Sequence, residues 1–307
     1  MNGPQIAWLP DGRRLHMNHG PIDLIVEAFG PEEERRAAYA LAAARFRTIL
    51  EELVAELPGL RRPSRPGMQR LFEGPTARRM EAACVPLADR FITPMAAVAG
   101  AVADEVLAAL VAGRKLERAY VNDGGDIAIH LAAGQSMRLA IAGTGNGLAD
   151  RVEVDAASPV RGVATSGRRG RSHSLGIADA VTVLARSGAA ADAAATLIAN
   201  AVDLPGHPAI RRQPARELAP DSDLGDRLVT VRVGRLTPAE VDEALAAGLA
   251  VAEDFRRRGL IEGAALFLAG ESRVCALEDL APSTTLRVVP LPRCAGEEQP
   301  ASRAAAS

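Results

Sequence analysis

Apolar residues in this chain recur in two rhythms, and the switches between them mark its elements. Alternation on either side of a Pro-Asp-Gly turn predicts a hairpin, Ile6 to Leu9 with Arg13 to Met17, and then a strand over Ile22 to Glu27. From Pro31 to Leu57 the Leu, Ile, Phe and Val positions fall at helical spacing. Pro31 with Glu32, Glu33 and Glu34 opens this helix, because proline suits the first turn and acids favour the positive end of the dipole; Pro58 and Gly59 close it. Leu60 to Pro75, rich in Arg, Pro and Gly, reads as a linker or flexible loop, and Thr76 to Val85 as a short helix interrupted by Pro86.

A second long helix opens at Thr93 and Pro94 and ends near Gly113, its first half almost without large side chains. Small residues let a helix press against another backbone or a ligand, and they suit burial in a crowded core equally well. Strands follow over Arg118 to Leu131, broken at Asn122 to Asp126, and over Met137 to Ala142; the stretch Gly143 to Gly147 lacks dinucleotide-fingerprint spacing and reads as a turn. Ile177 to Arg186 is a strand, Ala189 to Val202 a helix, and Leu204 to Asp226 a Pro-rich charged loop. Leu228 to Val233 is a strand, Thr237 to Arg258 a helix with a Thr-Pro-Ala-Glu capping box, Ala264 to Leu277 a hairpin and Thr284 to Leu291 a further strand. Helices interleaved with strands and hairpins imply an α+β chain. We expect one domain over residues 1–292, with two intimately packed subdomains as the alternative, and a disordered tail over 293–307.

Composition narrows the function classes. The formal net charge of -2 supplies no electrostatic footprint for nucleic acid or an anionic membrane, so any anion site is local. Three scattered cysteines, Cys84, Cys275 and Cys294, fit neither a zinc knuckle nor a disulfide framework. The N-terminus lacks a secretory pattern and no uninterrupted apolar run reaches membrane-spanning length, so the expected location is the cytoplasm. His16 and His19 are three apart on a strand, point to opposite faces and read as structural.

Candidate chemistry concentrates between Arg161 and Asp203. Gly162 to Gly167 sets Ala164, Thr165 and Ser166 between glycines, a source of hydroxyls and backbone donors for phosphate; Arg168, Arg169 and Arg171 follow with planar, bidentate donors. A solvated basic loop explains the arginines equally well. Asp192 and Thr196, four apart on a helix, share a face and form a hard-oxygen pair suited to Mg²⁺, although helix capping by Asp192 is the plainer reading of the spacing alone. Upstream, Asp123, Gly124, Gly125 and Asp126 form a turn where backbone can approach a ligand and carboxylates can face one another.

In this order the motifs resemble the ApbE-like superfamily, and within it a shorter, soluble, uncharacterised branch. The resemblance covers Thr93 to Asp203 and rests on the small-residue helix Ala96 to Asp104, the Gly-Gly turn Asp123 to Ile127, the glycine-bounded Ala-Thr-Ser-Gly loop Ala164 to Gly167, His173, the Val-Thr-Val strand Val181 to Val183 and the Ala-Asp-Ala-x-Ala-Thr helix Ala191 to Thr196. It implies an ApbE-like α+β fold of mixed sheets with packed helices. It further implies a Mg²⁺-dependent transferase related to enzymes that move FMN from FAD onto a threonine. It implies Asp192, Thr196 and a main-chain carbonyl near Val98 as metal ligands. Asp123, Gly124, Gly125, Thr165, Ser166, Gly167, Arg168 and Arg171 would hold FAD or another nucleotide, and His173 or Asp179 would serve as general base. The expected partner is a small phosphate-bearing molecule; a homo-oligomer stays open. The transferase Lys-Gly-Tyr step is replaced here by Ala99, Gly100 and Ala101, the Asp-Pro-x-Thr-Gly stretch after the His is missing, and aromatics are only 3% of the chain. The metal end is thus retained and the flavin end is not. The alternative is a non-catalytic protein that keeps the fold and carries a flavin- or pterin-like cofactor.

Overall fold

The alternating stretches pair into a single nine-stranded sheet, ordered β1-β2-β3-β4-β5-β8-β9-β12-β13. The computed structural model of the protein describes residues 3–140, 151–170 and 172–276; Arg171, the glycine-rich stretch 143–147, the strand expected over 284–291 and the tail 293–307 lie outside them. The strands are β1 (Gln5–Trp8), β2 (Leu15–His19), β3 (Ile22–Phe29), β4 (Arg118–Asp123), β5 (Asp126–Leu131), β6 (Ser136–Ala140), β7 (Arg151–Asp155), β8 (Gly162–Ser166), β9 (Ala180–Ala185), β10 (Ile210–Pro214), β11 (Leu228–Val233), β12 (Gly263–Leu268) and β13 (Glu271–Cys275). The helices are α1 (Glu32–Leu60), α2 (Pro75–Cys84), α3 (Val98–Val111), α4 (Gly188–Ala201), α5 (Ala215–Leu218) and α6 (Pro238–Arg257). Pairs β6–β7 and β10–β11 form separate two-stranded ribbons, and every pairing among the described residues is antiparallel. The chain is α+β.

Strand alternation gives the sheet two different faces. On β4, Ala119, Val121 and Asp123 are buried toward the helices, and Arg118, Tyr120 and Asn122 are half-buried on the opposite side. The larger core lies between sheet and helices and holds Met17, Leu24, Phe46, Leu110, Val183 and Phe255. A smaller core, with Ile129, Leu139, Val152, Leu184 and Phe267, fills the space between the central strands and the β6–β7 ribbon on the other face.

Most expected elements form, and the departures have local causes. Helix α1 passes through Pro58 instead of stopping there. A proline in the last turn removes only one intrahelical bond, while Leu60 is fully buried and the Arg70 Nη1 donates to the Gly59 carbonyl at 2.7 Å. The segment after it is not a linker: Arg70 grips the fully buried Glu81 of α2, Nε to Oε1 at 2.9 Å and Nη2 to Oε2 at 2.8 Å. The expected helix after Thr93 divides into a 3-10 turn, Pro94–Ala97, and α3. The stretch Gly162 to Ser166, expected as a loop, is strand β8, paired with β9 along its length. The charged segment before β11 contains β10, which its prolines disguise.

The segment Pro94–Val111 is long and apolar enough to cross a membrane, with mean hydropathy 1.7. Here α3 packs against α1 and α4, and its charged residues are all engaged: Asp104 bonds the start of α4, and Glu105 pairs with Arg45 and Arg79 at 2.8 Å each. Its apolarity serves helix packing. Cys84 and Cys275 are buried free thiols.

Candidate functional site

The small residues of α3 and α4 allow the two helices to touch backbone to backbone. A Cβ added to Gly100 would lie 2.2 Å from the Gly188 carbonyl oxygen, so no larger residue fits there. The contact is tied reciprocally. Asp192 on α4 accepts the Gly100 N–H on α3 at 3.0 Å; Asp104 on α3 accepts the Gly188 and Ala189 N–H groups of α4 at 2.8 and 2.9 Å. Ser187 adds the ordinary N-cap bond to Ala190 at 3.2 Å. Burial raises the Asp104 carboxyl above the usual aspartate range, and its two backbone donors oppose that rise.

Beside this crossing lies a cavity of about 300 Å³. Its walls come from the β2–β3 turn at Pro21 and Ile22, the start of α3 at Val98, Ala99 and Val102, and α4 at Asp192 and Thr196. The β4–β5 turn contributes Asp123, Gly124 and Asp126, and the end of β8 contributes Thr165, Ser166 and Gly167, followed by Gly170 and Ser172. The turn is a two-residue hairpin whose Gly124 and Gly125 have φ of 63° and 118°, conformations that glycine adopts freely. Its register sets Asp123 opposite Asp126, which brings both to the cavity wall. The Thr165 N–H donates to Asp126 Oδ1 at 3.1 Å, and the Thr165 hydroxyl shares a bond with Thr182 at 2.8 Å. Expected as a phosphate cradle, Thr165 therefore has its N–H committed to Asp126 and its hydroxyl engaged with Thr182; Ser166 and Gly167 remain at the wall.

Carboxylates dominate the electrostatics. Burial raises the Asp192 carboxyl well above the usual aspartate range, and the negative charges of Asp126 and Asp123 raise it further, against the Gly100 and Ala99 N–H groups. Asp192 is half-buried and lines the cavity. No Arg, Lys or His lines the cavity among the described residues. Nor, among them, is any group of three His, Cys, Asp or Glu side chains arranged to hold a metal ion. What the wall offers instead is the half-buried Asp192 carboxylate beside Thr196 and Val98, residues able to supply a hard-oxygen set.

Of the residues singled out in the sequence, Val98, Asp123, Gly124, Thr165, Ser166, Gly167, Asp192 and Thr196 come together here. Gly125 turns to a second cavity on the opposite face of the sheet. Arg168 and Asp179 are placed against each other, away from the wall. Asp179 is buried, forms ion pairs with Arg168 Nη2 at 2.5 Å and Arg169 Nε at 3.2 Å, and accepts the Ala269 N–H at 2.9 Å, so it fastens the loop after β8 to the β12–β13 turn. His173 is exposed next to the wall residue Ser172, and Arg171 lies outside the described residues. Asp126 and Ser172 also line the wall, though the sequence assigns neither a ligand role. Asp126 is legible in retrospect, since a two-residue Gly-Gly hairpin pairs the residues on either side of it; nothing local marks Ser172, Pro21 or Ile22.

A family model described as "AbpE bacteria" matches residues 6–274. A UPF0280 protein of Methanopyrus kandleri is 30% identical over 244 residues, which cover 73% of this chain and 95% of that protein. A UPF0280 protein of Archaeoglobus fulgidus is 40% identical over 115 residues, 36% of this chain and 45% of its own length. Among solved structures, the apo form of the flavinyl transferase ApbE of Pseudomonas stutzeri aligns with 91% of this chain and 98% of its own, at 14% identity and a TM-score of 0.44.

Proposed function

The chain belongs to the bacterial AbpE family, and from that premise we propose that it is a Mg²⁺-dependent transferase acting on a diphosphate-bearing nucleotide cofactor such as FAD. The observation that carries the reading is the convergence of Asp123, Asp126 and Asp192, from three separate elements, on one cavity that also holds Thr196 and Ser166. A diphosphate in such a cavity is repelled unless a cation lies between. The donor set fits one: Asp192, Thr196 and the Val98 carbonyl are the ligands we assign, and relief of the raised Asp192 carboxyl favours their binding a cation. When bound, Mg²⁺ would neutralise charge on the diphosphate and on the nucleoside monophosphate that leaves as the P–O–P bond breaks and the acceptor hydroxyl takes the other phosphoryl group. Gly124 and Gly167 allow close approach of the phosphate chain to the backbone, and Ser166 donates to it. His173 is the group we assign to taking the proton from the acceptor hydroxyl, and Asp179 serves to hold Arg168 and Arg169 in place. We place the protein in the cytoplasm.

Calorimetry with ADP and FAD, with and without Mg²⁺, tests this. Nucleotide binding is expected only with the metal, and Asp192→Ala lowers metal-dependent affinity by about 10–100-fold. Equal binding by the parent and that variant would sink the metal assignment. A second reading, cofactor binding without turnover, is favoured by one observation: among the described residues no aromatic ring lines the cavity, and Ala99 stands where the transferase motif has lysine. Covalent flavin on a threonine-containing target decides for transfer; bound but untransferred flavin decides for the carrier.

A further inference from the structure

A second cavity, of about 600 Å³, opens on the face of the sheet away from the helices, between the central strands and the β6–β7 ribbon. Period-two alternation separates the two cavities. On β4, Asp123 turns into the first, and Arg118, Tyr120 and Asn122 turn into the second; Thr165 lines both. The second cavity is apolar over most of its wall, with Phe29, Ile127, Met137, Leu139 and Val163. One cation stands in it uncompensated. The Arg118 guanidinium lies over the Phe29 ring at 4.6 Å, and Nη1 donates to the Ser136 carbonyl at 3.2 Å. Its Nε is buried with no hydrogen-bond partner, and among the described residues Arg118 forms no ion pair. A buried guanidinium donor left unmatched is costly unless an acceptor completes it. The other charged or phenolic groups here are already answered: Arg138 faces Glu153 at 4.0 Å, and the Tyr120 hydroxyl donates to Glu27 at 3.1 Å.

We propose that this cavity binds a small organic carboxylate with an apolar, ring-sized body, its single charge held by Arg118 and its body against Phe29, Ile127 and Leu139. One guanidinium without a counter-charge matches one negative charge, which favours a carboxylate over a phosphate dianion, and the planar fork suits carboxylate geometry. The volume lies within the usual range for small-molecule sites. The site stands independently of the metal reading, because no carboxylate of the first cavity lines it.

Titration of the 307-residue chain with naphthoate, naphthamide and naphthyl phosphate tests the proposal. Naphthoate is expected to bind about tenfold tighter than the neutral amide and no weaker than the phosphate. Arg118→Gln removes the preference for the acid, and Ile127→Trp, which fills the cavity and leaves Arg118 in place, removes binding of acid and amide alike. Asp192→Ala leaves naphthoate affinity within about twofold. Equal affinity for acid and amide, tighter binding of the phosphate, or naphthoate binding unchanged by Arg118→Gln or Ile127→Trp would each overturn it, as would loss of naphthoate on Asp192→Ala.

Discussion

At the scale of single residues, the α3–α4 crossing decides most of what the site can tolerate. Gly100→Ala forces a methyl into the Gly188 carbonyl, and the helices must part. We expect a loss of about 2–3 kcal/mol in urea denaturation, together with weaker nucleotide binding, since Gly100 also donates to Asp192. Asp104→Ala strands the two N–H groups of Gly188 and Ala189 and should cost about 2 kcal/mol; an unchanged urea midpoint would show that water replaces the carboxylate. The i, i+4 spacing puts Asp192 and Thr196 on one helix face, but spacing alone favours capping by Asp192, and only the family resemblance implies a metal role. The spacing could not show that Asp192 caps a neighbouring helix instead of its own, because Gly100 is 92 residues away. The pairing of Arg168 with Asp179 is hidden from the sequence for the same reason: charge in a glycine-rich loop looks ready for a ligand until the partner beside it is seen.

At the scale of elements, the segment between α1 and α2 has its own pH signature. Burial alone raises the Glu81 carboxyl, but the Arg70 guanidinium, the Arg70 N–H and the Ser64 hydroxyl outweigh it and leave the group below its ordinary value of 4.5. The folded chain therefore binds fewer protons here than the unfolded chain. The stabilisation is complete above about pH 4.5 and is lost as pH falls through the lowered folded value. Glu81→Gln is expected to lower stability at neutral pH by about 2 kcal/mol and to flatten the acid limb of the stability profile, with nucleotide binding unchanged. A variant profile as steep as the parent's would assign the acid sensitivity elsewhere. Elements with strong local signals were legible: β11 and the capped α6 match their expected spans closely, and Thr237 with Glu240 makes the capping box. Elements defined by partners were not. Strand β8 reads as a loop because Gly162 and Gly167 bracket it, and its strand character comes from β9. Arg70 reads as part of a linker until Glu81 is found beneath it.

At the scale of the whole molecule, one sheet is shared by two cores, the larger under the helices and the smaller under the β6–β7 ribbon. Strands β5, β8, β9 and β12 contribute residues to both, so the two cores are joined through the same four strands. Unfolding in urea is expected as one transition, with Trp8 fluorescence at the β1 edge and far-ultraviolet circular dichroism superimposing. Separated midpoints would instead divide the chain into two cooperative units. The reciprocal ties between α3 and α4 bear on biosynthesis as well. A chain emerging from the ribosome completes α3 long before Asp192 has been made, so the carboxylate that closes the start of α3 and the wall of the first cavity arrives late. Any nascent fragment ending ahead of α4 lacks both, and competence for the nucleotide becomes a report that translation has run past Thr196 and the two helices have docked.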